Sequence, residues 1–367
     1  MTRKLTYALV WFSLTQEVDG FIFDGVFRTW LTDVGSFLFK GLPIIHVIPW
    51  DALVMGALLA SPIPSKRKRV VELGNAAKVC FMGLAISWFW GVARGGSAYQ
   101  TMFQIRTFIM HVFLGLLITA VITKKSHVRA LGWVIVSAAI YRSGVLFTFW
   151  YLVTRHYSFQ VNVITDHADS VLFVTALFIT ILNAVERRTP ETIFFAVCMF
   201  AVMMTAMVLN NRRIAWLDMG VAGAFLYLLW PAGKVKRFMT RGLIVASPFL
   251  AAYMAIGWGH PTGIFKPVGS VSSMFGEHQD PSSIMRDIEN YNLMRTLKQN
   301  PILGWGWGHE YIEEVVAYSI ADIFPQYRFL PHNSLLGMVA FSGMIGFAMI
   351  WQIMAVSIFL QARVCLF

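Results

Sequence analysis

The chain has 367 residues, of which 57% are apolar and only 13% charged, and its mean hydropathy is +0.62. These values exclude an ordinary soluble domain and imply a polytopic membrane protein. The net charge of +11 is no argument for a nucleic-acid partner, because Lys and Arg collect in the cytoplasmic loops of membrane proteins.

A bilayer-crossing helix needs about 20 mostly apolar residues. Runs of that kind lie near 5–23, 43–61, 75–93, 104–123, 130–153, 169–185, 191–209, 214–231, 240–257 and 333–360. The expected fold is therefore all-α, with about ten spans. The first run follows Thr2-Arg3-Lys4 and is interrupted by Glu17 and Asp19. No small-residue cleavage site closes it, so it is expected to stay as an anchor. Residues 21–40 place apolar side chains at helical spacing with charges opposite, which predicts an amphipathic helix lying at the interface. The chain thus divides into a transmembrane bundle over 1–257, a polar segment over 258–332 and a final span over 333–367.

The connectors set an orientation. Lys66-Arg67-Lys68-Arg69 marks the cytoplasm. Counting spans from there puts Lys124, Lys125 and Arg129, then Arg187 and Arg188, then Lys234, Lys236, Arg237 and Arg241, and finally Arg363 on the same side. The polar segment then faces outward, into the periplasm of a bacterium with two membranes. Yet Arg94, Arg155, His156, Arg212, Arg213, Arg286 and Arg328 also map outward, and Arg142 maps inside the membrane. Guanidinium binds phosphate in a bidentate fork and suits fixed anion recognition. The competing reading is snorkelling to the lipid headgroups. An ionisable residue within a span is read as functional. Cys80, Cys198 and Cys365 sit in apolar runs without ligand spacing, so neither a disulfide nor a zinc site is expected.

Chemistry concentrates in a few stretches. Asn210-Asn211-Arg212-Arg213 opens the eighth run. Two arginines at a helix start oppose the macrodipole, and an anion there gains from the helix N-terminus and both side chains. Asp280-Pro281-Ser282-Ser283 starts a helix that Asn300-Pro301 stops, with Arg286 near its beginning. Gly304-Trp305-Gly306-Trp307-Gly308 predicts a tight turn whose tryptophans sit at the interface or stack on sugar faces. A second short helix is expected over 309–321. Pro331-His332-Asn333-Ser334 leads into the last span, with Asn333 or Ser334 as N-cap. A histidine just before a helix N-terminus is expected to stay neutral and able to accept a proton; a purely structural role is the alternative. The histidines form no HxxH or HExxH pattern, so no metal or other cofactor is expected.

These stretches together resemble the O-antigen ligase and O-antigen polymerase superfamily. Arg213-x-Ala215-Trp216 is similar to its SRGAW-type segment, with Arg212 in place of the usual serine. Arg286, Pro301 and Leu303-Gly304-x-Gly306-x-Gly308 resemble its R…(N/H)P-x-x-G-x-G-x-G segment. Pro331-His332-Asn333 with Leu335, Gly343 and Gly346 resembles its HN-x-x-L…G-x-x-G segment. The resemblance covers about residues 205–350. Relatives often carry one or two further spans, which predicts a truncated C-terminus here.

The resemblance implies a fold like that of metal-independent, type C glycosyltransferases in the inner membrane. It implies an undecaprenyl-diphosphate-linked glycan as donor. The glycan would pass at the periplasmic face to a sugar hydroxyl, on lipid A-core for a ligase or on another lipid-linked repeat for a polymerase, with membrane lipids as surroundings. It makes His332 the catalytic base, Arg213 and Arg286 diphosphate ligands with Arg212 in support, and Asn333 an orienting residue. The rival reading is a flippase or secondary transporter for an anionic glycolipid, which predicts broken helices in paired halves.

Overall fold

The computed structural model describes residues 2–16, 34, 37–39, 48–61, 68–154, 164–165, 167–259, 263–272, 281–316 and 326–366. Among these the regular structure is helical, as the composition requires of a multi-pass membrane protein. Among the described residues, seven helices are long and apolar enough to cross a bilayer. The expected runs at 5–23, 43–61 and 214–231 correspond instead to helices of 14, 11 and 17 residues. The longest of these three rises only about 26 Å, short of a hydrocarbon core of about 30 Å. The expected interfacial helix over 21–40 lies outside the described residues except for 34 and 37–39, which are helical.

The chain forms two compact units, Met1–Ala57 with Val121–Gly276, and Leu58–Ala120 with Glu277–Phe367. In the first unit, α1 (Thr2–Thr15) and α2 (Pro49–Leu59) precede α5 (Lys125–Phe149), α6 (His167–Arg187), α7 (Pro190–Asn210), α8 (Arg213–Leu229), α9 (Lys234–Gly259) and the short α10 (Lys266–Ser272). Its core lies among α5, α6 and α7. Ala138, Ala139, Ala176 and Ala206 let the backbones approach, and Met199, Met203 and Met207 fill the irregular space. The tight joint between α6 and α7 is local chemistry. Thr189 and Thr192 form a reciprocal capping box and Pro190 occupies the first turn of α7.

Arg142 lies in this core, 4% exposed. It was expected to be functional because of its depth. It donates from Nε and Nη2 to the two carboxylate oxygens of Asp169 on α6, at 2.8 and 2.7 Å. Its placement is therefore accounted for by a counter-ion one helix away.

The second unit holds α3 (Lys68–Ala93), α4 (Ala98–Val121), α11 (Pro281–Gln299) and α12 (Ser334–Leu366). α3 packs along α12, and Gly83 and Gly346 make that approach close. α12 is broken at Gly343, whose φ of 66° is left-handed. The break frees backbone groups that water cannot reach, and the glycine-rich stretch supplies their partners. Trp305 and Gly306 donate to the carbonyls of Ala340 and Phe341, both at 2.8 Å. Met344 and Ile345 donate to Pro301 and Ile302 at 2.9 and 3.2 Å. Gly304 and Gly343 face each other so closely that a Cβ on either would collide with the other's backbone. The run at 304–308, left-handed at Gly304, Gly306 and Gly308, is thus an irregular turn wedged against α12 and α3. Trp307 is buried against Phe341, not set at an interface. Trp305 instead carries Arg94, whose guanidinium lies 4.6 Å from its ring centre.

Candidate functional site

α11 begins and ends where the Asp280-Pro281 and Asn300-Pro301 signals place it. One of its faces is polar yet buried. Asn292 is 1% exposed, and Thr296 is buried beside it. Asn292 Oδ1 accepts the backbone N–H groups of Glu314 and Val315 at 3.0 Å, and its Nδ2 donates to the Val315 carbonyl at 2.8 Å. Thr296 Oγ1 accepts from Ile312 at 2.8 Å. These bonds hold 309–316 in a non-helical run, which corrects the helix expected over 309–321. Residues 317–325 lie outside the described ones. Buried side chains from α11 take the N–H groups of 312, 314 and 315, so this run is bonded to another element and not to itself.

A second polar cluster closes the segment. Arg328 pairs with Glu310 at 3.2 Å and with Glu313, and donates from Nε to the Tyr327 hydroxyl at 2.9 Å. That hydroxyl donates in turn to Glu313. Arg328, mapped outward among the arginines suited to anion recognition, is engaged with Glu310, Glu313 and Tyr327. Tyr311 packs beside this cluster, and burial, then the charges of Glu289 and Glu313, push its phenol well above its ordinary range.

α12 starts as expected. Asn333 is its N-cap, its Oδ1 accepting from Leu336 N–H at 3.1 Å, and its Nδ2 donates to Asn290 on α11 at 2.9 Å. This clip fixes His332. The backbone N–H of His332 donates to both carboxylate oxygens of Glu289, at 3.2 and 3.1 Å. Its ring Nδ1 lies 3.3 Å from Glu289 Oε1. Glu289 is 8% exposed, while the His332 side chain is 60% exposed. A hydrogen bond from the ring to Glu289 raises the His332 pKa above its ordinary value; partial burial opposes this, the Glu289 charge adds to it, and the Arg286 charge lowers it. The direction is opposite to the one expected from the helix N-terminus, because a carboxylate in contact outweighs a terminal dipole.

The structure thus brings His332, Asn333 and Arg286 together at the start of α12, with Arg286 exposed on α11 one turn before Glu289. Arg212 and Arg213 belong to the other unit. There Asn211, left-handed at φ 51°, ends α7, and Arg212 is the N-cap of α8. Arg212 donates to the Thr165 carbonyl at 3.1 and 3.0 Å and lies 3.2 Å from His167 Nε2. Asn210 accepts from Thr165 N–H at 2.8 Å and donates to Ser170 at 3.1 Å. The joint that presents Arg213 is therefore fixed by side chains buried beneath it. Arg155 and His156 lie outside the described residues. Glu289 is not among the candidate residues that the sequence motifs single out. The available signal was its place on the same helix face as Arg286.

A multi-pass helical membrane protein with an exposed histidine at the start of a broken span and an exposed arginine on the helix beside it is the class that fold and site define. Residues 195–351 match the family model described as O-Antigen ligase. The match supports the superfamily indicated by the motifs and contains Arg212, Arg213, Arg286, His332 and Asn333. No curated protein and no solved structure matches the chain.

Proposed function

We propose that this protein transfers a glycan from undecaprenyl diphosphate to a sugar hydroxyl at the outer face of the bacterial inner membrane, as an O-antigen ligase or polysaccharide polymerase. The observation that carries this reading is an exposed imidazole held at a fixed point beside Arg286, within the segment that matches the O-Antigen ligase family.

His332, deprotonated, takes the proton of the acceptor hydroxyl. The oxygen attacks the anomeric carbon of the donor, and the bond from that carbon to the diphosphate breaks. The electron pair leaves with the diphosphate. A single displacement of this kind inverts the anomeric centre. Negative charge grows on the leaving group, and Arg286 stabilises it, a charge-assisted bond contributing about 1.5–3 kcal/mol. Arg212 supports by holding the start of α8, and Asn333 orients His332 through its cap and its bond to Asn290. A positioned base contributes about 10²–10⁴-fold, and guanidinium supplies charge stabilisation without a metal.

The test is a proteoliposome assay with a lipid-linked glycan donor and a glycan or lipid A-core acceptor. An enzyme of this kind releases free undecaprenyl diphosphate in step with product. A flippase moves the donor across the bilayer and releases none, and that outcome would replace this reading.

A further inference from the structure

Glu289 does work that neither the motifs nor the family match assigns. It is a nearly buried carboxylate, and such a group is costly to keep charged unless it is hydrogen-bonded. Both oxygens take the backbone N–H of His332, and one also faces ring Nδ1. The helix that carries it is anchored by the buried side chains Asn292, Leu293 and Thr296. The next residue, Asn290, ties to Asn333. Glu289 is thus fixed on a rigid element while the histidine side chain remains largely exposed. A carboxylate can only accept at Nδ1, so the neutral ring must carry its proton there and present a bare Nε2.

Resting on the glycosyl-transfer reading, we propose that Glu289 is a positioning residue: it selects the Nδ1–H tautomer of His332 and aims Nε2 at the acceptor hydroxyl. The imidazolium formed as the hydroxyl proton moves to Nε2 is then stabilised by the same carboxylate. When the product departs, that proton returns to solvent and the dyad resets. The charged groups that face this pair are Arg286, which opposes a charged ring, and on the far side of Glu289 Tyr311, backed by Glu313, Tyr327 and Arg328.

The experiment uses the full chain in proteoliposomes and the variant Glu289→Gln, whose amide oxygen can still accept the His332 backbone N–H. Transfer is expected to fall by about 10–10³-fold, within the range for a base deprived of its orienting carboxylate. The acid limb of the pH–rate profile is expected to move to lower pH, and Glu289→Asp to restore part of both. Histidine-selective ¹⁵N NMR of the wild type, above the pKa of the ring, is expected to show His332 protonated at Nδ1. A slow variant with an unmoved acid limb would mean a merely structural carboxylate and would overturn the proposal. So would an Nε2–H ring in the wild type, a result that needs no variant to fold. If instead His332→Ala transfers at the wild-type rate, the base reading fails, while the NMR result still judges the contact on its own.

Discussion

Replacing Asp169 probes whether Arg142 is a structural residue. Two charge-assisted hydrogen bonds, at 2.8 and 2.7 Å, join side chains that are each about 5% exposed. Removing one partner of a buried pair costs about 3–5 kcal/mol, because the remaining charge keeps its desolvation penalty. Asp169→Ala should therefore lower the melting temperature of the purified protein sharply and reduce its yield. The double variant Arg142→Met with Asp169→Leu removes both charges and should recover most of the loss, since an apolar pair of similar volume is often neutral or better. Melting in detergent, with transfer measured on whatever remains folded, reads both effects. The recovered double variant should keep transfer activity. A double variant as stable as the wild type yet inactive would refute the structural assignment and return Arg142 to the role its depth first suggested.

Other outcomes follow from the same geometry. Asn292→Ala leaves three backbone groups of 314 and 315 without their partner, a loss of about 2–4 kcal/mol. Amide exchange should quicken at 312–315 before it does in α12. Gly304→Ala places a methyl against the backbone at Gly343 and should fail to fold or lose activity entirely, whereas Gly144→Ala, with open space at its Cβ, should be silent. Arg286→Ala should weaken use of the lipid-linked donor, with Lys only a partial substitute because it lacks the planar fork. The raised His332 pKa fixes a sign. Transfer needs the neutral ring, so the rate should climb with pH through a midpoint above about 6.5. The stabilising contact with Glu289 runs the other way, full below the unfolded histidine value and lost as pH rises through the folded one. A rate limb below the ordinary histidine value would contradict the contact.

The sequence made seven of the ten expected spans legible because a bilayer imposes long apolar runs, while the runs at 5–23, 43–61 and 214–231 form shorter helices. It also made α11 and the start of α12 legible, since Asp280-Pro281, Asn300-Pro301 and Asn333 act on their own backbone neighbours. His332 stood out by its place just before that N-cap, and the family resemblance made it the candidate base. What it hid are contacts between residues far apart in the chain. Glu289 and His332 are separated by 43 positions, and Arg142 and Asp169 by 27. Spacing along one helix carries no trace of either. The helix expected over 309–321 failed in the same manner, because buried Asn292 and Thr296 supply the hydrogen bonds instead. The glycines at 304, 306 and 308 were noticed, but their cause was hidden. They insert against a span broken at Gly343, and nothing local to either stretch announces the other.

The account depends most on the imidazole at position 332. The direct measurement is single-turnover glycan transfer by reconstituted His332→Ala, with membrane insertion checked by its melting profile. Loss of about 10²–10⁴-fold in transfer, with donor binding kept, is the predicted result. Transfer at the wild-type rate by a folded variant would contradict it.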